Sequence, residues 1–140
     1  DSLSAIGVAC HEAGHALQHA AGYFPMHIRS QLVPMANIGS YLSYGAIILG
    51  FILQAGHLVM LGAILFSAVV LFSIVTLPVE WDASARAKKL MVSSGIVSEQ
   101  ERDGAGKVLN AAFMTYVAAV ISSLLTLLYY LLRASSMNRD

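Results

Sequence analysis

Residues 11–15 of this chain read His11-Glu12-Ala13-Gly14-His15, a spacing of residue types that can hold and use a metal ion. On an α-helix, residues four apart lie on one face about one turn apart, so both imidazoles can reach the same ion. The carboxylate of Glu12 lies beside them, where it can take a proton from a metal-bound water. The HExxH pattern therefore predicts Zn²⁺-assisted hydrolysis with Glu12 as the general base.

The residues around the motif favour a helix. Good helix formers precede and follow it and Gly22 is a suitable stop, so we predict a helix over residues 3–21. A histidine-rich amphipathic helix that binds no metal is the alternative. Cys10 lies about 100° around this helix from His11, and we expect it to be a small buried residue rather than a ligand.

The composition of the 140 residues indicates a membrane protein. Hydrophobic residues make up 57% of the chain and charged residues 11%, whereas about 25% of a typical soluble domain is charged. The formal net charge is zero, which argues against nucleic-acid binding and against a polybasic membrane anchor. The chain has one cysteine, so it cannot form an internal disulfide. At this length we expect a single membrane-integrated domain, residues 1–140.

Three apolar segments follow the motif helix and predict membrane-spanning helices, for which about 20 residues are needed. They cover about residues 38–53, 57–77 and 110–132. The first two are joined only by Gln54-Ala55-Gly56, so they should form a tight antiparallel hairpin. A buried helix pair in a soluble protein is the alternative, which the length of the two longer runs disfavours.

A polar stretch, residues 22–37, lies between the motif helix and the first apolar segment. It contains Pro25 and Pro34, and its weak period-two alternation predicts either one short strand or a plain loop.

A polar island, residues 78–109, separates the second and third apolar segments and is expected to be helical. Pro78 should open a helix at its first position, Gly95 should end that helix, and Ser98 with Glu101 should cap the next one. The predicted fold class is therefore an all-α membrane protein. It comprises the HExxH helix, about three transmembrane helices and a membrane-adjacent helical segment.

A catalytic zinc ion usually takes three protein ligands and one water. His19 continues the histidine stripe, but eight residues of helix rise about 12 Å, which is too far for one ion to bind His11, His15 and His19 together. Two spans return the chain to the side it left, so residues 78–109 should face the same side as the motif. Glu80 is the favoured third ligand, because a carboxylate at the membrane boundary is costly unless it is paired or metal-bound.

The other titratable residues are weaker candidates for the third ligand. His27 remains an alternative, and His57 should lie at the opposite face. Asp82 and Arg86 are spaced i, i+4 and are expected to form an ion pair. The developing oxyanion needs a donor in addition to the metal, and the candidates are Tyr116, Arg86 and His19.

Four stretches of the chain carry a family resemblance. They are His11–Ala20, Leu77–Ser84, Gly104–Ala112 and Thr115–Ala119. Together they resemble the YugP-like family of bacterial membrane zinc metallopeptidases, and the match spans nearly the whole chain. The resemblance implies hydrolysis of peptide or protein substrates, membrane-associated ones included, at a Zn²⁺ site in the bacterial cell membrane. Members of that family usually carry a membrane segment ahead of the motif helix, so we expect one upstream of this chain.

The arrangement also resembles the HtpX-like and prenyl-processing membrane peptidases. In those proteins an aspartate four residues after the glutamate ligand supports the histidine ligands. Ser84 occupies that position here, so either Asp82 or Ser84 could take the supporting role.

Other classes of protein remain as alternatives. A membrane protein with a structural or vestigial zinc site, acting as a binding or scaffold module, would close the site with a fourth protein ligand such as His27. A transporter with histidines on an ion path would place them within the long apolar runs, whereas the titratable cluster falls outside those runs. Site-2-type proteases use an aspartate in a late span, and residues 110–132 contain no acid.

The distribution of basic residues predicts the orientation. Six basic residues lie on the motif side and two on the other side, which by the positive-inside rule puts the active site at the cytoplasmic face. The six are Arg29, Arg86, Lys88, Lys89, Arg102 and Lys107, and the two are Arg133 and Arg139.

Overall fold

The computed structural model describes residues 2–139, and these residues form four α-helices and no strand. The helices are α1 (Ser2–Ala21), α2 (Phe24–Ile52), α3 (Gly56–Ser93) and α4 (Glu99–Met137). The predicted all-α fold is therefore confirmed. Three of the four helices, α2, α3 and α4, are long and apolar enough to cross a membrane, as the three apolar segments predicted.

The motif helix α1 ends where the sequence predicted. Its last residue is Ala21, and Gly22 follows with φ +68°, a left-handed conformation that glycine adopts without strain. The amide of Tyr23 donates to the carbonyl of Gln18, at 2.9 Å, which closes the end of the helix.

The prediction of a strand or loop over residues 22–37 is wrong. Helix α2 begins at Phe24 and runs through this stretch, with Pro34 inside it. Pro25 lies in the first helical turn, where its missing N–H has no intrahelical partner to lose. Met26 is buried and both Ile28 and Leu32 are half-buried, but residues two apart on a helix point about 200° away from each other, so the apparent alternation does not mark one face.

The expectation that Pro78 opens a helix is also wrong, because α3 runs unbroken from Gly56 to Ser93 with Pro78 inside it. The other expected boundaries are confirmed. Gly95 follows the helix with φ +69°. The backbone N–H of Ser98 donates to the Glu101 carboxylate and the backbone N–H of Glu101 donates to the Ser98 hydroxyl, both at 3.2 Å, which is a capping box.

By its internal contacts the chain divides into two compact units. Unit 1 comprises the chain through Ser30 together with Val75–Val117, and unit 2 comprises Gln31–Ile74 with the chain from Ala118 onward. The hydrophobic core of unit 1 includes Cys10, which is 5% exposed, as expected for a packing residue. Its other members are Ala87, Met91, Val97, Ala105 and Leu109.

Unit 2 contains the predicted helical hairpin. Helix α2 ends at Ile52 and α3 begins at Gly56, so the two helices are joined by a short turn. The buried hydroxyl of Ser43 donates to the carbonyl of Gly62, at 2.8 Å. A side chain on Gly62 would collide with Ile47, so this glycine permits the close helix packing that membrane proteins favour.

Candidate metal centre

Three side chains from two helices of unit 1 converge on one point. His11 and His15 come from α1 and Glu80 comes from α3. One ligand atom from each lies within 4.8 Å of the other two, and this triad is the metal-ligand group found among residues 2–139. Two imidazoles and a carboxylate are a ligand set of catalytic zinc sites.

Glu80 is the most deeply buried of the three, at 2% exposure. One carboxylate oxygen, Oε2, lies 2.7 Å from Nε2 of His11, and the other, Oε1, lies 3.4 Å from Nε2 of His15. The carboxylate, by accepting a hydrogen bond from His15, raises the pKa of that imidazole above its ordinary value near 6.5. Both histidines turn Nε2 toward the carboxylate of Glu80, so the three side chains point potential ligand atoms at one place.

The opposite ring nitrogens of the two histidines are each held by another side chain. Nδ1 of His11 lies 3.2 Å from the hydroxyl of Ser84. Nδ1 of His15 lies 2.8 Å from Oε1 of Gln18. Metal-binding histidines are usually oriented in this way, through a hydrogen bond at the nitrogen that does not bind the metal.

The amide of Gln18 fixes the tautomer of His15. Gln18 is fully buried, and its Nε2 donates to the carbonyl of Val79 at 2.8 Å and to Oδ2 of Asp82 at 2.9 Å. A backbone carbonyl can only accept, so the amide nitrogen must face Val79 and the amide oxygen must face His15. In its neutral form the imidazole therefore donates from Nδ1, and its Nε2 then carries the lone pair that a metal would take.

A close approach of α1 and α3 brings the ligands together. Gly14 lies between the two histidines in sequence and is buried. A Cβ on Gly14 would collide with the backbone carbonyl of Ala83 on α3. The glycine of the motif thus allows the helix that carries two ligands to rest against the helix that carries the third.

Arg29 contacts the triad, although its place in the sequence does not predict this. Its Nη2 lies 3.7 Å from Oε1 of Glu80, and among the described residues no group hydrogen-bonds its buried Nε. Arg29 lies on α2, within residues 22–37, for which the sequence predicts a strand or loop. The sequence does show that Arg29 is the one Lys or Arg within residues 22–37. That observation points to the triad only if the stretch is helical.

Two cavities meet at the triad. Both are lined by His11, Glu12, Glu80 and Tyr116. The polar cavity, of about 310 Å³, adds His15, His19 and Arg29 among its polar residues. The apolar cavity, of about 220 Å³, adds Ser84 and the hydrophobic side chains Val8, Val108, Leu109, Ala112 and Phe113.

The remaining sequence candidates fall into two groups. Tyr116 and His19 line the polar cavity. Asp82 accepts from Gln18 and, at 2.6 Å, from Nε of Arg86, so the expected i, i+4 ion pair is present. Arg86 also lies over the ring of Tyr23, at 5.5 Å from its centroid, and is held away from the two cavities at the triad.

His27 and His57, the other histidines considered as ligands, are both exposed and lie outside the triad.

Comparison with known proteins also points to a zinc site. A family model described as "putative neutral zinc metallopeptidase" matches residues 1–135. The chain is also 46% identical, over 131 residues, to a protein of Bacillus subtilis (strain 168) named "putative membrane protease YugP". That alignment covers 94% of this chain and 58% of the relative, so the chain spans a little over half of the relative's length. No solved structure matches.

The chain therefore belongs to the family that this model describes. The three apolar helices and the relative's name both fit a membrane protein.

Proposed function

We propose that the protein is a membrane-bound, zinc-dependent metallopeptidase that hydrolyses peptide bonds, with His11, His15 and Glu80 as the metal ligands and Glu12 as the general base. The observation that carries the proposal is the convergence of those three ligands beside Glu12, at a point where two cavities meet. The ligand set fits zinc because both imidazoles face Glu80 with one nitrogen while their other nitrogen contacts Ser84 or Gln18.

The protein's own groups would handle the protons. A bound zinc ion would supply Lewis-acid polarisation and lower the pKa of water toward about 7. Glu12 is exposed at the junction of both cavities and takes the proton of the attacking water. It then returns the proton to the amine that leaves.

Charge that develops on the substrate carbonyl oxygen needs a fixed donor. Arg29 is the strongest candidate, because it lines the polar cavity and its Nε is buried without a partner among the described residues. Its contacts are long, 3.7 Å from Nη2 to Oε1 of Glu80 and 3.9 Å from Nη1 to Sδ of Met26, and so leave the guanidinium available to a substrate. Tyr116 and His19 line the same cavity and are the further candidates.

The proposed substrates are peptides or proteins, including membrane-associated ones, and the proposed location is the bacterial cell membrane with the active site toward the cytoplasm. The six basic residues on the motif side, against two on the other, support that orientation.

The direct test replaces Glu12 by Gln in the zinc-loaded protein in detergent or lipid nanodiscs. We expect zinc stoichiometry to be retained and peptide hydrolysis to fall by about 10²- to 10⁴-fold, because general acid–base catalysis contributes that much. Glu99→Gln is the matched control, since Glu99 is exposed at the start of α4 and 3.7 Å from Arg102. Undiminished hydrolysis by Glu12→Gln would exclude the assigned role.

A structural zinc site is the rival function, and the same sample distinguishes it. That function requires a closed site with a fourth protein ligand, whereas the group formed by the described residues has three. X-ray absorption spectroscopy at the zinc edge should therefore detect two nitrogen ligands and oxygen ligands that include water. Four protein ligands together with absent hydrolysis would favour the structural site.

A further inference from the structure

The apolar cavity beside the triad is not explained by metal binding or by proton transfer. It has a volume of about 220 Å³ and shares His11, Glu12 and Glu80 with the metal centre. Its remaining wall is formed mainly by five hydrophobic side chains of α1 and α4, which are Val8, Val108, Leu109, Ala112 and Phe113.

Two parts of this wall are fixed by packing. The ring of Phe113 stacks edge-on against Trp81, with centroids 5.0 Å apart. Leu109 is 3% exposed and belongs to the hydrophobic core of unit 1. The cavity is therefore preformed, which is typical of sites that select a ligand by shape.

Two of the polar residues that line the cavity, Ser84 and Glu80, are already engaged. Ser84 contacts His11, and Glu80 lies between the two histidines. A polar side chain that entered would lose its hydrogen bonds to water and find few in return, which disfavours it. An apolar side chain would instead gain from leaving water, by a term that grows with its buried area.

We propose that this cavity is a specificity pocket, which binds a bulky aliphatic or aromatic side chain of the residue next to the scissile bond. The inference rests on the proposed peptidase function and adds the substrate class. Its place follows from the shared lining, since a side chain in the cavity lies beside Glu12 and the metal ligands. Its size is sufficient, because an apolar cavity of about 150 Å³ already holds benzene.

Ala112 is the position at which the pocket can be filled. It is exposed and lines the cavity, and its neighbour Ala111 is also exposed but does not line it. In Ala112→Trp the indole should fill the cavity and exclude the substrate side chain. Ala111→Trp is the matched control, because it makes the same substitution at a position that does not line the cavity. Neither alanine takes part in metal binding or proton transfer.

The first experiment maps cleavage sites by mass spectrometry, using a peptide library and the zinc-loaded full chain in nanodiscs. The wild-type protein and Ala111→Trp should both select Leu, Ile, Met or Phe at one fixed position beside the cleaved bond. Their kcat/KM should favour these residues over Gly by about 10- to 100-fold. Ala112→Trp should shift the selection to Gly, Ala or Ser. Cleavage without an apolar preference, or a preference that Ala112→Trp leaves unchanged, would overturn the pocket while leaving the peptidase function intact.

The second experiment needs no turnover. Two peptide hydroxamates are compared by calorimetry, one with an isobutyl side chain beside the zinc-binding group and one with hydrogen there. We expect the isobutyl compound to bind about 10- to 100-fold more tightly to the wild-type protein and to Ala111→Trp, and to lose that advantage in Ala112→Trp. Equal binding of the two compounds to the wild-type protein would refute the specificity pocket, whether or not the protein hydrolyses peptides. If neither peptide cleavage nor hydroxamate binding depends on zinc, the peptidase function fails as well.

Discussion

Replacing Gln18 by Met should weaken zinc binding without touching a ligand. Methionine keeps most of the side-chain volume but removes the acceptor that lies 2.8 Å from Nδ1 of His15 and both donors on the amide nitrogen. Loss of such a supporting hydrogen bond typically lowers metal affinity by about 10- to 100-fold. That range corresponds to about 1.4–2.8 kcal/mol of binding free energy.

The same substitution should also lower thermal stability, because Gln18 joins α1 to two groups on α3. Its amide nitrogen donates to Val79 and Asp82 in a fully buried position. A typical hydrogen bond contributes about 0.5–1.5 kcal/mol net. The two losses can be separated with Gln18→Glu, which keeps an acceptor for His15 and replaces the donors by a carboxylate that faces Asp82.

The assay is competition for zinc between the detergent-solubilised protein and a chromogenic chelator near neutral pH, with a melting curve of each variant. We expect zinc affinity to rank wild type first, then Gln18→Glu, then Gln18→Met, while both variants melt earlier. Gln100→Met is the matched control, since Gln100 is exposed near the start of α4. If Gln18→Met binds zinc as tightly as Gln100→Met, Gln18 does not position His15. If Gln18→Glu binds zinc no better than Gln18→Met, the link between the helices matters rather than the acceptor.

Four further outcomes are expected. Gly14→Ala should lower zinc affinity and the melting temperature, because overpacking costs about 1–3 kcal/mol of stability. Gly7→Ala should be tolerated, because its Cβ would meet only side chains of Val108 and Leu109, at 3.8 and 4.0 Å; equal effects of the two variants in calorimetry would contradict this. Arg29→Gln should reduce kcat/KM by about 10²- to 10³-fold with little change in zinc affinity, and Arg102→Gln should not; unchanged steady-state kinetics would remove Arg29 from catalysis. A chelator should abolish hydrolysis and added zinc should restore it, while Glu80→Gln purified with zinc should retain less than one ion per chain by metal analysis. In the metal-free protein, the hydrogen bond to Glu80 that raises the pKa of His15 stabilises the fold fully below about pH 6.5, and this contribution should be lost as pH rises through the raised pKa. The melting temperature should therefore fall with rising pH more in the wild-type protein than in Glu80→Gln, and equal pH dependence of the two would refute this.

The parts of the site that the sequence predicted are those with a short-range geometric rule. His11 and His15 must share a helical face because of their spacing, and the helix prediction around them needed only local propensity. Glu80 was reached by counting membrane crossings and by the cost of an isolated carboxylate, and the structure places it within 4.8 Å of both histidines.

The parts that were missed depend on three-dimensional packing. Gln18 lies seven residues after His11 on the same helical face, but nothing local shows that an amide there is buried against Val79 and Asp82. Arg29 is not predicted because Pro25 and Pro34 indicate breaks in the stretch that carries it. Interior prolines are tolerated in membrane helices, where neighbouring groups satisfy the freed carbonyls, so Pro34 and Pro78 did not mark helix boundaries.

The separation of the ligands along the chain bears on how the centre is assembled. His11 and Glu80 are 69 residues apart, so a nascent chain presents the HExxH helix long before the third ligand has been made. A chain that stops before α3 keeps two histidines but lacks the third ligand of the metal centre. Zinc that binds only the folded chain, and not the unfolded one, adds its binding free energy to the stability of the fold. With zinc held as proposed, metal loading reports that α1 and α3 have come together, and hydrolytic chemistry is withheld from unfinished copies of the protein.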